Sequence, residues 1–187
     1  MGIAVLYGSS RKNGNSERLA RLLVRGFDAD HIYLTHYRIE PIVDYRHVEP
    51  GPYPDDDYRK LMNRVLKQDT LVFATAIYWY GLPGRLKLFI DRWSQSLREN
   101  RGDFLAKLSG KQAYVIAVGD DEPHVKGQPL IQQFQYIFDF VGIRFAGHVI
   151  GTGNRPEDIE QDAEALSAIQ TIRFKLSADG DSSMKEP

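Results

Sequence analysis

Two short stretches of this chain carry side chains whose types and spacing suit ligand binding. The first is GSSRKNGNS, Gly8 to Ser16. Ser9, Ser10, Asn13, Asn15 and Ser16 offer hydroxyl and amide donors, and Arg11 and Lys12 add full positive charges. The run leads straight into an amphipathic pattern, so the unpaired N–H groups of a helix start lie beside those donors. That combination suits a dianionic phosphate. An ordinary strand-to-helix turn would use the same residues, with Asn15 or Ser16 as the N-cap. Spacing disfavours two familiar phosphate loops. A P-loop places four residues between its first glycine and Gly-Lys, whereas five separate Gly8 from Gly14 and Asn15 stands where the lysine would be. A GxGxxG dinucleotide fingerprint is also lacking.

The second stretch is IYWYGLPGRLKLFIDRW, Ile77 to Trp93. It places Tyr78, Trp79 and Tyr80 in a row before Gly81, Pro83 and Gly84. Side chains alternate along extended chain, so three consecutive aromatics cannot all point into a core. At least one must line a cleft, and a flat conjugated ligand is its natural occupant.

These stretches follow two apolar runs of strand length, Ile3 to Tyr7 and Thr70 to Ala76. Both are apolar on both faces, as inner strands of a parallel sheet are. His31 to Leu34, Ala113 to Val118 and Ile143 to Ile150 read as further strands, the last interrupted by Gly147. Helices are expected after the first loop (Leu19, Leu22, Leu23 and Phe27 inward), over Asp57 to Lys67, after Gly84, around Phe104 to Leu108, from Pro129 to about Phe140, and from Pro156 to Leu176. Tyr136 and Phe140 widen the apolar arc of the Pro129 helix, through a broad core face or a subunit contact. Gly151-Thr152-Gly153 reads as a turn, and the segment from Ser177 to Pro187 as a polar tail after a single domain over residues 1–176. Tyr37 to Tyr58 shows neither period and reads as a long surface excursion. Its Asp55, Asp56 and Asp57 are expected to cap the next helix rather than hold a metal.

Strands alternating with helices give an α/β, doubly wound, five-stranded parallel sheet. Only if strands one and three are neighbours do the two marked loops share a crevice. Strand order 2-1-3-4-5 achieves this, and its switch point is where flavodoxin-like folds hold FMN. The phosphate would then rest on the first loop and the ring on the aromatic one.

Composition narrows the classes. At 187 residues with a formal net charge of −1, the chain has a domain-sized core and no basic surplus for nucleic acid or an anionic membrane. The absence of cysteine excludes disulfides, a thiolate nucleophile and a cysteine-held iron–sulfur cluster. No apolar run approaches bilayer length, and no basic leader precedes the first strand, so a soluble cytoplasmic protein is expected.

GSSRKNGNS followed by IYWYGLPGRLKLFIDRW resembles the flavodoxin-like NAD(P)H-dependent FMN reductases and quinone reductases, nearest to cluster-free relatives of the iron–sulfur flavoproteins. The similarity runs from the first strand to at least Gly151. It implies that Ser9, Arg11, Asn15 and Ser16 hold the FMN phosphate, with Gly14 allowing close approach. Tyr78, Trp79, Tyr80 and Gly81 would contact the isoalloxazine, and Gly119 would open a third flavin loop. It also implies a homodimer or homotetramer with flavin near the subunit contact. Two departures stand out. Pro41 to Tyr45 replace the cysteines that iron–sulfur members carry, and Gly119-Asp120-Asp121-Glu122 replaces a small glycine-rich loop. Carboxylates there would lower the potential of a flavin that becomes anionic on reduction.

The implied reaction passes hydride from NAD(P)H, with NADPH favoured because Arg11 or Lys12 could face a 2′-phosphate, to FMN and then to a small acceptor such as a quinone, nitro compound or free flavin. The cofactor carries that chemistry, so no acid, base, nucleophile or metal ligand is assigned. Of five histidines only His124 lies near enough to the third loop to reach a flavin or quinone oxygen. The rival reading is a flavodoxin-type electron carrier, against which the near-neutral charge counts. A flavin-free binding module is a third.

Overall fold

The computed structural model describes residues 1–49 and 51–182, with side chains through residue 178. Its sheet is five-stranded and wholly parallel, in the order β2-β1-β3-β4-β5. The strands are β1 (Ile3–Tyr7), β2 (Ala29–Tyr33), β3 (Thr70–Ala76), β4 (Gln112–Gly119) and β5 (Arg144–Thr152). Every residue of β1 is buried, as is β3 from Thr70 to Thr75, because helices cover both faces. The period of two sorts their side chains: Ala4, Leu6, Leu71 and Phe73 enter one core, and Ile3, Val5, Val72 and Ala74 enter the other.

Helices α1 (Asn15–Leu23) and α7 (Ala163–Ser182) cover the second core. The first lies beneath α2 (Tyr58–Leu66), α3 (Gly84–Asp91), α4 (Trp93–Leu108) and α6 (Gln128–Val141), with the single turn α5 (Pro123–Lys126) ahead of α6. Burial of Leu19 and Leu23 sets the pitch of α1, while Leu22 and Phe27 are only partly buried.

Several boundaries differ from those expected. Gly14, not Asn15 or Ser16, is the N-cap of α1, which places both polar residues inside the first turn. The last helix begins at Ala163 after a 3-10 turn at Asp158–Gln161, because the Asp158 carboxylate accepts from the N–H groups of Asn154 and Arg155 ahead of it and that of Asp162 accepts from the Ala165 N–H in its first turn. It continues to Ser182, and residues 183–187 of the expected tail lie outside the described residues. α4 is longer than its apolar pattern suggests, with a non-helical Asn100 (φ −157°, ψ 82°) at its middle. Tyr136 and Phe140 are exposed and add nothing to the core.

The excursion is pinned at its neck. Arg38 and Asp57 exchange two hydrogen bonds, each of 2.9 Å. As expected, the acidic run starts the next helix, with Asp57 as the N-cap of α2; the Asp56 carboxylate, however, leaves the surface and meets Arg92, both side chains being almost wholly buried, at 2.5 Å. The N–H groups of Glu40 and Tyr58 complete the coordination of Asp56. Burial raises its pKa, but the Glu40 N–H, Arg92 and the Tyr58 N–H outweigh that and hold it below the usual carboxylate range. Among the described residues no group of three or more His, Asp or Glu side chains is placed to hold a metal, and no helix is long and apolar enough to cross a membrane.

Candidate flavin site

Open parallel sheets bind ligands beyond the carboxyl ends of their strands, and the crevice lies there, between loops that leave β1 and β3 in neighbouring positions. A cavity of about 120 Å³ is lined by Ser9, Arg11, Gly14, Asn15 and Ser16 from the first loop, with Tyr78 and Gly119 opposite. A second, of about 170 Å³, is lined by Trp79, Tyr80, Gly119 and Lys126. Ile77, Gly119 and Asp120 line both, so the two are adjacent compartments of one crevice. Nine of the ten residues expected at the site therefore line it, and Gly81 lines neither compartment.

The first compartment carries groups suited to an anion. The N–H groups of Asn15, Ser16 and Glu17 have no carbonyl within α1 to bond, since the first intrahelical bond runs from Arg18 N–H to the Gly14 carbonyl. Arg11 reaches across and donates to the Asn154 carbonyl at 2.5 Å. Glu17 accepts from the Asn13 N–H at 2.9 Å and holds that residue at φ +53°. Asn15 donates to the Arg155 carbonyl at 2.9 Å, while its buried Oδ1 has no partner. An orphaned buried acceptor is costly. A ligand hydroxyl, of the kind a ribityl chain carries, would satisfy it.

Gly153 and Asn154, after β5, also line this compartment, a contribution that reading Gly151-Thr152-Gly153 as a plain turn misses. A Cβ on Gly153 would stand 2.7 Å from Asn15 Nδ2. The available signal is a glycine at the carboxyl end of a parallel strand, which is where such crevices form.

The aromatic stretch is a two-residue hairpin turn. Tyr78 N–H donates to the Gly81 carbonyl at 3.1 Å, and Gly81 N–H returns to the Tyr78 carbonyl at 3.0 Å. The positive φ angles fall on Trp79 (+48°) and Tyr80 (+62°), where such turns favour Asn-Gly. Strain of this sort collects at functional sites. It turns all three rings outward, with Trp79 95% exposed. Tyr78 bonds Ser10 Oγ at 2.9 Å, and Tyr80 donates to Asp121 Oδ2 at 2.8 Å.

The acidic loop is largely self-neutralised. Lys126 reaches Asp121 at 2.6 Å and Glu122 at 2.9 Å. The Lys126 ammonium, then the Tyr80 hydroxyl, hold the Asp121 carboxyl below its ordinary range, and the same carboxylate raises the Tyr80 phenol. Asp120, which accepts from Asn154 Nδ2 at 2.5 Å, is the carboxylate bordering both compartments. Lys12 and His124 border neither.

A family model described as NADPH-dependent FMN reductase matches residues 1–146. The chain belongs to the NADPH-dependent FMN reductase family. It is 56% identical over 174 residues to a Bacillus subtilis (strain 168) protein named as the putative NAD(P)H-dependent FMN-containing oxidoreductase YwqN, covering 92% of this chain and 96% of that one. Among solved structures, the Trp repressor binding protein from Bacillus subtilis superposes with a TM-score of 0.77 at 50% identity, covering 91% and 96% of the two chains. An FMN-dependent NADH-azoreductase from Bacillus anthracis, solved in complex with FMN, shares the fold at a TM-score of 0.65 and 12% identity, covering 94% and 99%. Membership makes this chain an FMN-dependent oxidoreductase, and the crevice fits the cofactor of its family: free helix N–H groups, a guanidinium and an orphaned Asn15 acceptor beside an aromatic compartment.

Proposed function

We propose that this crevice is the FMN site and that the protein passes reducing equivalents from NAD(P)H to a small acceptor such as a quinone, a nitro compound or free flavin. The observation that carries the reading is the convergence of loops from four strands on one crevice with an anion-binding end and an aromatic end. In this reading Ser9, Arg11, Ser16 and the Asn15 N–H hold the phosphate, with Gly14 allowing close approach, while Tyr78, Trp79, Tyr80 and Gly119 bound the ring compartment. Gly81 acts indirectly by closing the turn.

FMN bound there supplies a ring that takes hydride and returns electrons. The chain's own part is to bind and orient. Free N–H groups of α1 would stabilise a dianion by hydrogen bonding, with no proton transfer. The strained Trp79–Tyr80 turn presents rings to solvent, so a planar donor and a planar acceptor can occupy the same open face in turn. That shared face leads to ping-pong kinetics, with parallel lines in double-reciprocal plots. Trp79 is too exposed to be structural in one chain, which supports a homodimer or homotetramer that covers it; light scattering on the holoprotein tests this.

The functional test is anaerobic stopped-flow mixing of the yellow holoprotein with NADPH or NADH, followed by an acceptor panel. Rapid bleaching and acceptor-dependent return of colour are expected. Indifference to both nucleotides would instead indicate an electron carrier.

A further inference from the structure

The pinned excursion forms the wall of a second cleft, which shares no residue with the flavin crevice. Its volume, about 430 Å³, falls in the range of small-molecule sites. We propose that this cleft between the excursion and α4 binds a small planar aromatic carboxylate.

Three features point to that class. First, the cleft offers flat apolar surface: Ile42, Val43 and Leu97 line it, beside Tyr45 and Tyr53, whose rings pack edge to face at 5.2 Å. Such rings accommodate another aromatic ring. Second, its charge is positive and uncommitted. Arg46 is matched by Asp44 at 2.6 Å, but Arg98 and Arg101 have no carboxylate partner among the described residues. Arg98 makes one long bond of 3.3 Å to the Val48 carbonyl, and Arg101 lies over the Phe140 ring. A guanidinium fork is suited to a carboxylate. Third, the wall is pre-organised. The buried Arg92–Asp56 pair, the Glu40 N–H to Asp56 bond and the doubly bonded Arg38–Asp57 neck fix the excursion against α4. Tyr45 is further held by its hydroxyl bond to the Pro52 carbonyl at 3.1 Å. A cleft organised before binding loses less on ordering.

The test is titration calorimetry of the FMN-loaded protein with 2-naphthoate and its neutral counterpart 2-naphthamide. At least about tenfold tighter binding of the acid is expected. The exposed double variant Arg98→Gln/Arg101→Gln should bring the two within about twofold of each other with FMN content unchanged. Ser94→Trp, which puts an indole into the cleft while keeping both arginines in the chain, should abolish binding of both probes. Equal affinities in the parent protein overturn the proposal. So does naphthoate binding that survives Ser94→Trp, or that a quinone displaces in step with a change in flavin absorbance, since that places the probe on the flavin.

Discussion

The hydroxyls of Tyr78 and Ser10 lie 2.9 Å apart, so the loops after β3 and β1, 68 residues apart in sequence, are joined at the mouth of one crevice. Tyr78 lines the anion-binding compartment, and the bond ties that wall to the first loop. Tyr78→Phe and Ser10→Ala should each weaken FMN binding several-fold. A double-mutant cycle on FMN affinity should show coupling of about 0.5–1 kcal/mol. Strict additivity would mean that the bond does not hold the site.

Trp79 and Tyr80 occupy left-handed backbone that costs an L-residue roughly 1–2 kcal/mol. The double substitution Trp79→Asn/Tyr80→Gly, which supplies the residue types such a turn favours, should raise thermal stability of the apoprotein while turnover with quinones falls. Differential scanning fluorimetry and steady-state kinetics on the same preparation check both halves. A variant no more stable than the parent would show that the turn stores no strain.

Arg92 is wholly buried against Asp56, with its remaining N–H groups on Gln95 and the Glu40 carbonyl. Removing one partner leaves the other charge buried, so Asp56→Ala should cost about 3–5 kcal/mol in urea unfolding. The Arg92→Met/Asp56→Leu double variant should cost clearly less than the sum of the single substitutions.

Tyr7 and His31 pair at 2.7 Å beneath α1. Burial, aided by the Arg21 charge, lowers the His31 pKa from its ordinary 6.5. The unfolded chain therefore binds the proton more readily. Stability contributed by neutral His31 is complete above pH 6.5 and lost as pH falls through the window below it. The urea midpoint should drift down as pH falls below about 6.5, and His31→Gln should flatten that drift.

The strand order and the two loops can be read from the chain because each rests on a local rule. Apolar runs buried on both faces mark inner strands, and the requirement that two loops meet selects the order. Other features depend on contacts distant in sequence and escape such rules. Asp56 looks like a helix cap until Arg92, 36 residues away, is seen to bury it. Asn154 looks like a turn residue until Arg11 and Asp120 both bond to it. The turn at Trp79–Tyr80 breaks the expectation that positive φ falls on glycine, because Gly81 stands one place too late. Asn15 and Ser16, the residues expected to supply the N-cap, both lie within the helix that Gly14 caps.

The central claim is that the first turn of α1 binds the phosphate of FMN. Fluorescence titration of the apoprotein with FMN and with riboflavin isolates that phosphate. FMN should bind at least about 100-fold more tightly, a difference of roughly 3 kcal/mol, and Arg11→Ala should reduce the ratio below about tenfold while riboflavin affinity changes little. Equal affinity for the two flavins, or a ratio untouched by Arg11→Ala, would contradict the account.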